Sequence, residues 1–536
     1  MNKRIIDILA LVSLMILTIL FALFFVDFSI LPNEDAAMLM RYADHVAQGE
    51  GIVWNIGESP VDGATDFLFM IIVALFHYIG FTLEVAVRFT TIFSHFSTIA
   101  LIYIGMRQLQ QSGVPSAWFS ALYFAIGPGL FLAAAYFGTP FFVLAVAVTW
   151  LLGQRLIFVQ TTNMSCISFS FACLITGLIR PEGVLISIFI LIAISMLVSF
   201  RDFRRLVIIF SAVFIILGGS YFIWHWNYFG HPLPNPFYKK GGGELYYNGL
   251  LTSIKWSWRW MYPIIIAFIL SLRSKKSLHL GISFSIPIIG SIGMWILLPD
   301  VMNFLGRFQY PILVLGILIW YPLIRTIRND FRLPTFSTFN FMQKMAIVLS
   351  ITFVIIIFIR NHPSQYLNTK YAKDGRHAVG LMLNEYANKK YTIATTEAGL
   401  LPLYSKWRAI DTWGLNDQWI AHNGLITEEY LHKQKPDIIM WHGRFSPLYA
   451  PEPENSEWSK FSLLFYRQVI TLKKYAEERN YTLAAVFGIS PKDTHYYYVS
   501  PEISDHDEIV QRIRNIDYMW DGKLCENFAK QMNIYK

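Results

Sequence analysis

Lys3-Arg-Ile-Ile-Asp-Ile-Leu-Ala-Leu-Val-Ser-Leu-Met-Ile-Leu-Thr-Ile-Leu-Phe-Ala-Leu-Phe-Phe-Val26 opens with two basic residues and continues as a run interrupted only by Asp7, Ser13 and Thr18. From Ile5 the run is about 22 residues long, matching the length that crosses a bilayer core. It is too long for a signal-peptide core and no small-x-small site precedes Asp27, so it is expected to persist as a first span with Lys3 and Arg4 inside. Working outward, further runs near or above span length lie at 115–137, 183–199, 204–227, 279–298 and 343–359. Of the 536 residues, 54% are hydrophobic and only 15% charged, where soluble domains carry about 25% charged. Soluble, disordered and fibrous classes are thereby excluded, and a polytopic α-helical membrane protein is expected.

The net charge of +8 implies no nucleic-acid partner, because the basic residues are dispersed among loops facing lipid headgroups. Three cysteines, Cys166, Cys173 and Cys525, are too few for a disulfide framework. Phe67–Phe81 is short for a span and contains His77. If it does not cross, about fourteen Lys and Arg face inward and seven outward; if it crosses, about nine face inward and twelve outward. The positive-inside rule selects the first, so Phe67–Phe81 is expected to lie in, or re-enter, the outer leaflet. Eleven spans follow, near 5–26, 88–106, 115–134, 138–157, 164–179, 183–199, 204–227, 257–272, 279–298, 308–324 and 343–359, with the tail outside. The domains expected are 1–360, in the membrane, and 361–536, outside it. In the polar tail, 391–397, 437–441, 481–487 and 495–500 read as strands and 428–435, 462–479 and 506–516 as helices, an α/β pattern.

On this topology the polar groups gather at one face, in a first outer loop (27–87) and a second (228–256). Residues 35–47 read as a helix with Asp35, Leu39, Tyr42 and Val46 on one side. A carboxylate there has two readings. Asn33 caps the helix and Glu34 and Asp35 sit at its positive end, or Asp35 is a general base where lipid meets water. Arg180 and Glu182 flank Pro181 at a span end, either as a helix stop or as site residues. Tyr228–Gly243, rich in Pro and Gly and carrying His231, Lys239 and Lys240, suits an anion or is a solvated loop. Asp300 and Arg307 either pair with each other or join the site. Group transfer from a lipid-linked sugar phosphate fits this set: a carboxylate takes the acceptor proton while Arg and Lys hold the departing phosphate. One base in a single displacement predicts inversion at the anomeric carbon. Asp35 with Glu34 and His45 has no strong metal-ligand spacing, and neither metal nor cofactor is expected.

These residues carry a family resemblance. Glu34-Asp-Ala, Arg41-Tyr-Ala, Gly49-Glu-Gly, Trp54-Asn, Gly57-Glu and Val61-Asp-Gly-Ala-Thr-Asp-Phe-Leu68, taken in order, resemble the first-loop signature of GT-C-type membrane glycosyltransferases similar to the mycobacterial terminal arabinofuranosyltransferase. Arg180-Pro-Glu-Gly183, Tyr228–Tyr238, Asp300 with Gly306-Arg-Phe308, and Thr395–Gly399 with Ile410–Asp417 extend the match to most of the chain. Glu34 stands where the family has Asp, and Asp62 where Glu is usual.

The resemblance implies a GT-C fold, a polyprenyl-phosphate sugar donor, and transfer of arabinofuranose or another pentose. The acceptor implied is a cell-envelope glycan, lipid or protein at the outer face of a bacterial inner membrane, with the tail domain periplasmic. It implies catalysis by Asp35 and Glu34, with Asp35 the base. Donor binding is expected from Arg41, Tyr42, Arg180, Glu182, His231, Asn235, Tyr238, Lys239, Lys240 and Arg307. Acceptor binding is expected from Asp62, Asp300, Glu397, Asp411 and Asn416. A transporter of lipid-linked sugars and a non-catalytic envelope or motor-associated assembly protein are the competing classes.

Overall fold

The computed structural model describes residues 3–240, 245–272, 275–297, 303–331, 372–443, 460–490 and 493–530. Among these, seven helical stretches are long and apolar enough to cross a membrane: Lys3–Phe25, Leu83–Leu109, Val114–Ala134, Thr139–Phe158, Phe200–Phe229, Lys275–Leu297 and Phe304–Ile327. Helices Asn163–Ile179 and Glu182–Ser195 cover two further expected spans but are shorter. The span expected at 257–272 is the second half of a longer helix, Tyr247–Ser271, and the one at 343–359 lies outside the described residues. Two spans are broken. Pro128 separates Val114–Ala125 from Gly129–Ala134, because it has no N–H for the ladder. Leu318 ends Tyr310–Ile317 before Trp320–Phe331 begins. Phe67–Tyr78 is helical as expected.

The first loop forms a 14-residue helix, Glu34–Ala47, and the Asn33 side chain accepts from the Asp35 N–H at 3.3 Å as its N-cap. Its side chains join one continuous apolar core: Met40 and Tyr42 share a cluster with Trp54 of the same loop, with Phe69, Leu130 and Tyr310, and with Ala398, Leu400 and Leu403 of the tail. The tail is therefore seated on the first loop.

The tail is a six-stranded sheet. Its strands are β1 (Thr392–Thr395), β2 (Arg408–Asp411), β3 (Ile438–His442), β4 (Thr482–Ser490), β5 (Asp493–Val499) and, after a small hairpin β6–β7 (Met519–Trp520, Lys523–Leu524), the edge strand β8 (Glu526–Asn527). The order is β2-β1-β3-β5-β4-β8. β1 runs parallel to β2 and β3, and β5 antiparallel to β3 and β4. Side chains alternate across β3: Ile438 and Met440 pack with Val379, Leu383 and Ile509 on one face, Ile439 and Trp441 with Leu431, Val469 and Leu472 on the other. All four expected strands and all three expected helices are present; β2, the β6–β7 hairpin and β8 were not expected.

Candidate active site

Asp35 and Leu39 project from the Glu34–Ala47 helix into a cavity of about 370 Å³. Its walls come from the first loop (Gly63–Asp66), the segment Tyr136–Gly138, the Arg180–Glu182 turn, the second loop (Leu233, Pro234, Pro236 and Phe237), Trp295, Arg307–Phe308 and, from the tail, Leu415. Five charged side chains face an otherwise largely apolar space: Asp35, Asp66, Arg180, Glu182 and Arg307.

Three ion pairs, centred on two guanidiniums, organise them. Arg307 Nη2 bonds Asp35 Oδ2, with the Arg307 side chain 8% exposed. A turn with two consecutive left-handed residues, Leu305 (φ 55°) and Gly306 (φ 66°), delivers it. Gly306 is required there, because a Cβ would meet the Trp256 ring at 2.6 Å. The guanidinium lies 4.2 Å from the Phe137 ring centre and 4.9 Å from that of Phe308, and its Nε has no partner among the described residues. Arg180, at the extended C-cap of Asn163–Ile179, bonds Glu182 at 2.6 Å and reaches Asp66 at 3.4 Å. Burial pulls Arg180 down, but Asp66 and Glu182 outweigh it and hold the guanidinium charged above its ordinary value. Burial pushes Asp66 up, against the pull of Arg180. Both guanidiniums lie within 6 Å of the Phe308 ring centre, so the three pairs share one compartment.

Glu34, expected beside Asp35 in catalysis, points elsewhere. Its carboxylate accepts from the Gly399 N–H at 2.7 Å and the Leu400 N–H at 3.3 Å, and pairs with Arg376 at 3.1 Å. Arg376 also binds Asp374 and Glu397, each at 2.7 Å; Glu397 Oε1 meets His442 Nδ1 at 2.9 Å, and His442 Nε2 meets Asp493 at 2.5 Å. Burial pushes Glu34 up to about 7. Burial pulls His442 down, but its two carboxylate partners outweigh that and hold it at about 9.

Arg41 does not line the cavity either. It is buried and donates to the carbonyls of Trp54, Pro402 and Trp407 and to Asn55 Oδ1, pinning the first loop to the tail. Tyr42 donates to Asn416 Oδ1 at 3.1 Å. Asp411 accepts from the N–H groups of Trp413, Gly414 and Asn416 and from Asn416 Nδ2, fixing the 411–417 turn that brings Leu415 to the cavity. Asp62 bonds His225 Nε2 at 2.7 Å, and its carbonyl accepts from the Asn235 N–H.

The remaining expected residues meet the tail: His231 stacks on His422 at 4.0 Å, Tyr238 lies 4.4 Å from the same ring, and Lys239 donates to the Gly424 carbonyl over the Trp413 ring. Burial lowers Lys239 to about 8. Asp300 and the Lys240 side chain lie outside the described residues, and Arg307 takes Asp35 as a partner. Thus four expected residues, Asp35, Arg180, Glu182 and Arg307, meet in the cavity. Asp66 and Trp295 were missed there. Asp66 lies inside the quoted first-loop motif, just before an apolar helix; Trp295 had no polar neighbour to mark it. Among the described residues no group of three or more His, Cys, Asp or Glu is arranged to hold a metal.

Comparison with solved structures gives the same architecture. ArnT from Cupriavidus metallidurans in the apo state aligns over 92% of this chain and 98% of its own, at 11% identity and a TM-score of 0.55. The fold is GT-C-like. ArnT bound to undecaprenyl phosphate aligns with a TM-score of 0.54 at 11% identity, over 91% of this chain and 97% of its own. The Archaeoglobus fulgidus oligosaccharyltransferase gives 0.53 at 10% identity, over 94% and 75%. Within this GT-C-like chain, a domain family of unknown function (DUF8728) matches residues 364–504. No curated protein matches the sequence.

Proposed function

We propose that the protein is an inverting glycosyltransferase. It moves a sugar, arabinofuranose or another pentose, from a polyprenyl-phosphate donor to a cell-envelope glycan, lipid or protein. The reaction takes place at the outer face of a bacterial inner membrane, with the tail domain periplasmic. The observation that carries this reading is a carboxylate and a guanidinium, Asp35 and Arg307, facing each other in a largely apolar cavity beside a second guanidinium, Arg180. The GT-C-like fold and the undecaprenyl phosphate held by ArnT support the donor class.

The chemistry balances with these groups alone. The acceptor hydroxyl attacks the anomeric carbon and its proton passes to an Asp35 oxygen. The bond between that carbon and the phosphate oxygen breaks, and its electron pair leaves as the second negative charge of polyprenyl phosphate. Arg307 and Arg180 neutralise that charge where it develops, and the apolar walls strengthen the attraction. A donor phosphate also competes with Asp35 for Arg307. Its arrival frees the carboxylate to act as a base.

Arg307→Ala is therefore expected to lower kcat/KM by about 10²-fold, read from initial rates of labelled-sugar transfer. Transfer itself is tested by offering the purified protein radiolabelled polyprenyl-phosphate arabinofuranose, ribofuranose, mannose and glucose with cell-envelope extract. Label moving from a pentose donor into the extract supports the reading; label moving only from mannose or glucose keeps the transferase but refutes the pentose, and label moving from none refutes the reading.

A further inference from the structure

A base and a phosphate clamp leave part of the cavity's polar equipment unused. Asp66 occupies the N-cap position of Phe67–Tyr78 yet makes no side-chain capping bond. Its contacts to Arg180 are long, 3.4 and 3.5 Å, because Arg180 gives its short bond to Glu182 at 2.6 Å. A carboxylate left with acceptor capacity in an enclosed space is costly, and a ligand that donates to it recovers the cost. Trp295 offers the complementary group. It is 6% exposed, lines the same cavity, and its indole N–H has no partner among the described residues. Its ring stacks on Phe308 at 4.7 Å, and both guanidiniums lie within 6 Å of the Phe308 ring centre.

Resting on the glycosyltransferase reading above, we propose that Asp66 and Trp295 form the subsite for the sugar being transferred. Asp66 accepts from sugar hydroxyls, and the Trp295 N–H donates to a hydroxyl or ring oxygen. A phosphate is repelled by Asp66 and goes to Arg307 and Arg180; a neutral, hydroxyl-bearing ring is what a carboxylate and an indole N–H recognise together. The attached sugar lies one bond from the phosphate, within reach of the Phe308 neighbourhood that both subsites share. Buried hydrogen-bonding groups also discriminate, because a sugar lacking the matching hydroxyl leaves them unpaired.

The test separates sugar from phosphate. In a Cys525→Ser background, Asp66→Cys is alkylated by N-ethylmaleimide with either a polyprenyl-phosphate sugar or bare polyprenyl phosphate present. At about ten times its Kd, the glycosylated lipid is expected to slow alkylation about tenfold, and the bare lipid to leave it nearly unchanged. Equal protection by both would put residue 66 in the phosphate site, and protection by neither would put the sugar elsewhere; either result overturns the proposal. Trp295→Phe removes the indole N–H and narrows the side chain while keeping an aromatic ring against Phe308. It is expected to raise the donor KM about fivefold while leaving inhibition by bare polyprenyl phosphate unchanged; a parallel rise in both, or in neither, overturns the Trp295 assignment. Transfer by the unmodified protein is scored separately, so the sugar subsite can fail while the glycosyltransferase reading stands.

Discussion

Asp35→Asn is expected to lower sugar transfer by about 10³-fold, within the range that a positioned general base supplies. The substitution keeps the size of the side chain and one oxygen that can still accept from Arg307. The Asn33 cap of the helix is untouched, because Asn33 accepts from the residue-35 backbone N–H. Folding is thus preserved, and the amide simply has no basicity to take the acceptor proton. Donor affinity should be equal or higher, since Arg307 no longer has to leave a carboxylate to meet the phosphate. A fall in kcat without a rise in donor KM is the signature, measured by initial rates at several donor concentrations. A purely structural Asp35 would instead lower thermal stability and both kinetic constants together.

The largest effect on stability is expected from Arg376→Ala. Arg376 is 6% exposed and is the cation shared by Glu34, Asp374 and Glu397. Removing one partner of a buried pair costs about 3–5 kcal/mol, because the remaining charge is left unpaired. Here three carboxylates lose their common partner, and the first loop loses part of its tie to the tail. Thermal unfolding of the purified protein should show a clear drop, with Arg376→Lys only partly restoring it, since one ammonium cannot reproduce the guanidinium's spread of bonds.

The same cluster sets a pH dependence. His442 is held at about 9, above its ordinary 6.5. Its contribution is therefore complete below about 6.5 and is lost as pH rises through about 9. Glu34 is held at about 7, above its ordinary 4.5. The cost of its buried charge is absent below 4.5 and accrues as pH rises through about 7. Both groups act in one direction, so thermal stability should fall as pH rises from about 4.5 to about 9, through Glu34 up to about 7 and through His442 from about 6.5 to about 9. Glu397, held low through His442 and Arg376 despite its burial, opposes them only in acid. His442→Gln should flatten the alkaline part of the profile; an unchanged slope in that variant would remove His442 from the account.

Much of this arrangement was legible in the chain. The Asn33 cap and the helix after it follow from local spacing, and the structure has them; of the expected face, Asp35 and Leu39 meet the cavity while Tyr42 turns to Asn416. The distinction between Glu34 and Asp35 also lay in the periodicity. Adjacent helical residues diverge by about 100°, and here Asp35 faces the cavity while Glu34 turns to Arg376. What local pattern does not carry is where a charge goes over long sequence separations. Arg41 sits in the motif like a ligand-binding residue, but it binds carbonyls at Pro402 and Trp407. Glu397 is likewise committed to Arg376 and His442. β2 was missed because Arg408–Asp411 is only four residues long and alternates weakly. Asp66 was passed over because it falls between the motif's marked positions, where only the assembled walls reveal that it faces Arg180.

The central claim is that Asp35 drives a one-step displacement of polyprenyl phosphate in this cavity. The most direct measurement is the anomeric configuration of the product, read by proton NMR after turnover of a donor of known configuration by wild type and by Asp35→Asn. The expected result is an inverted product from wild type and no detectable product from Asp35→Asn over the same period. Retention of configuration, or product formed equally by both, would contradict it.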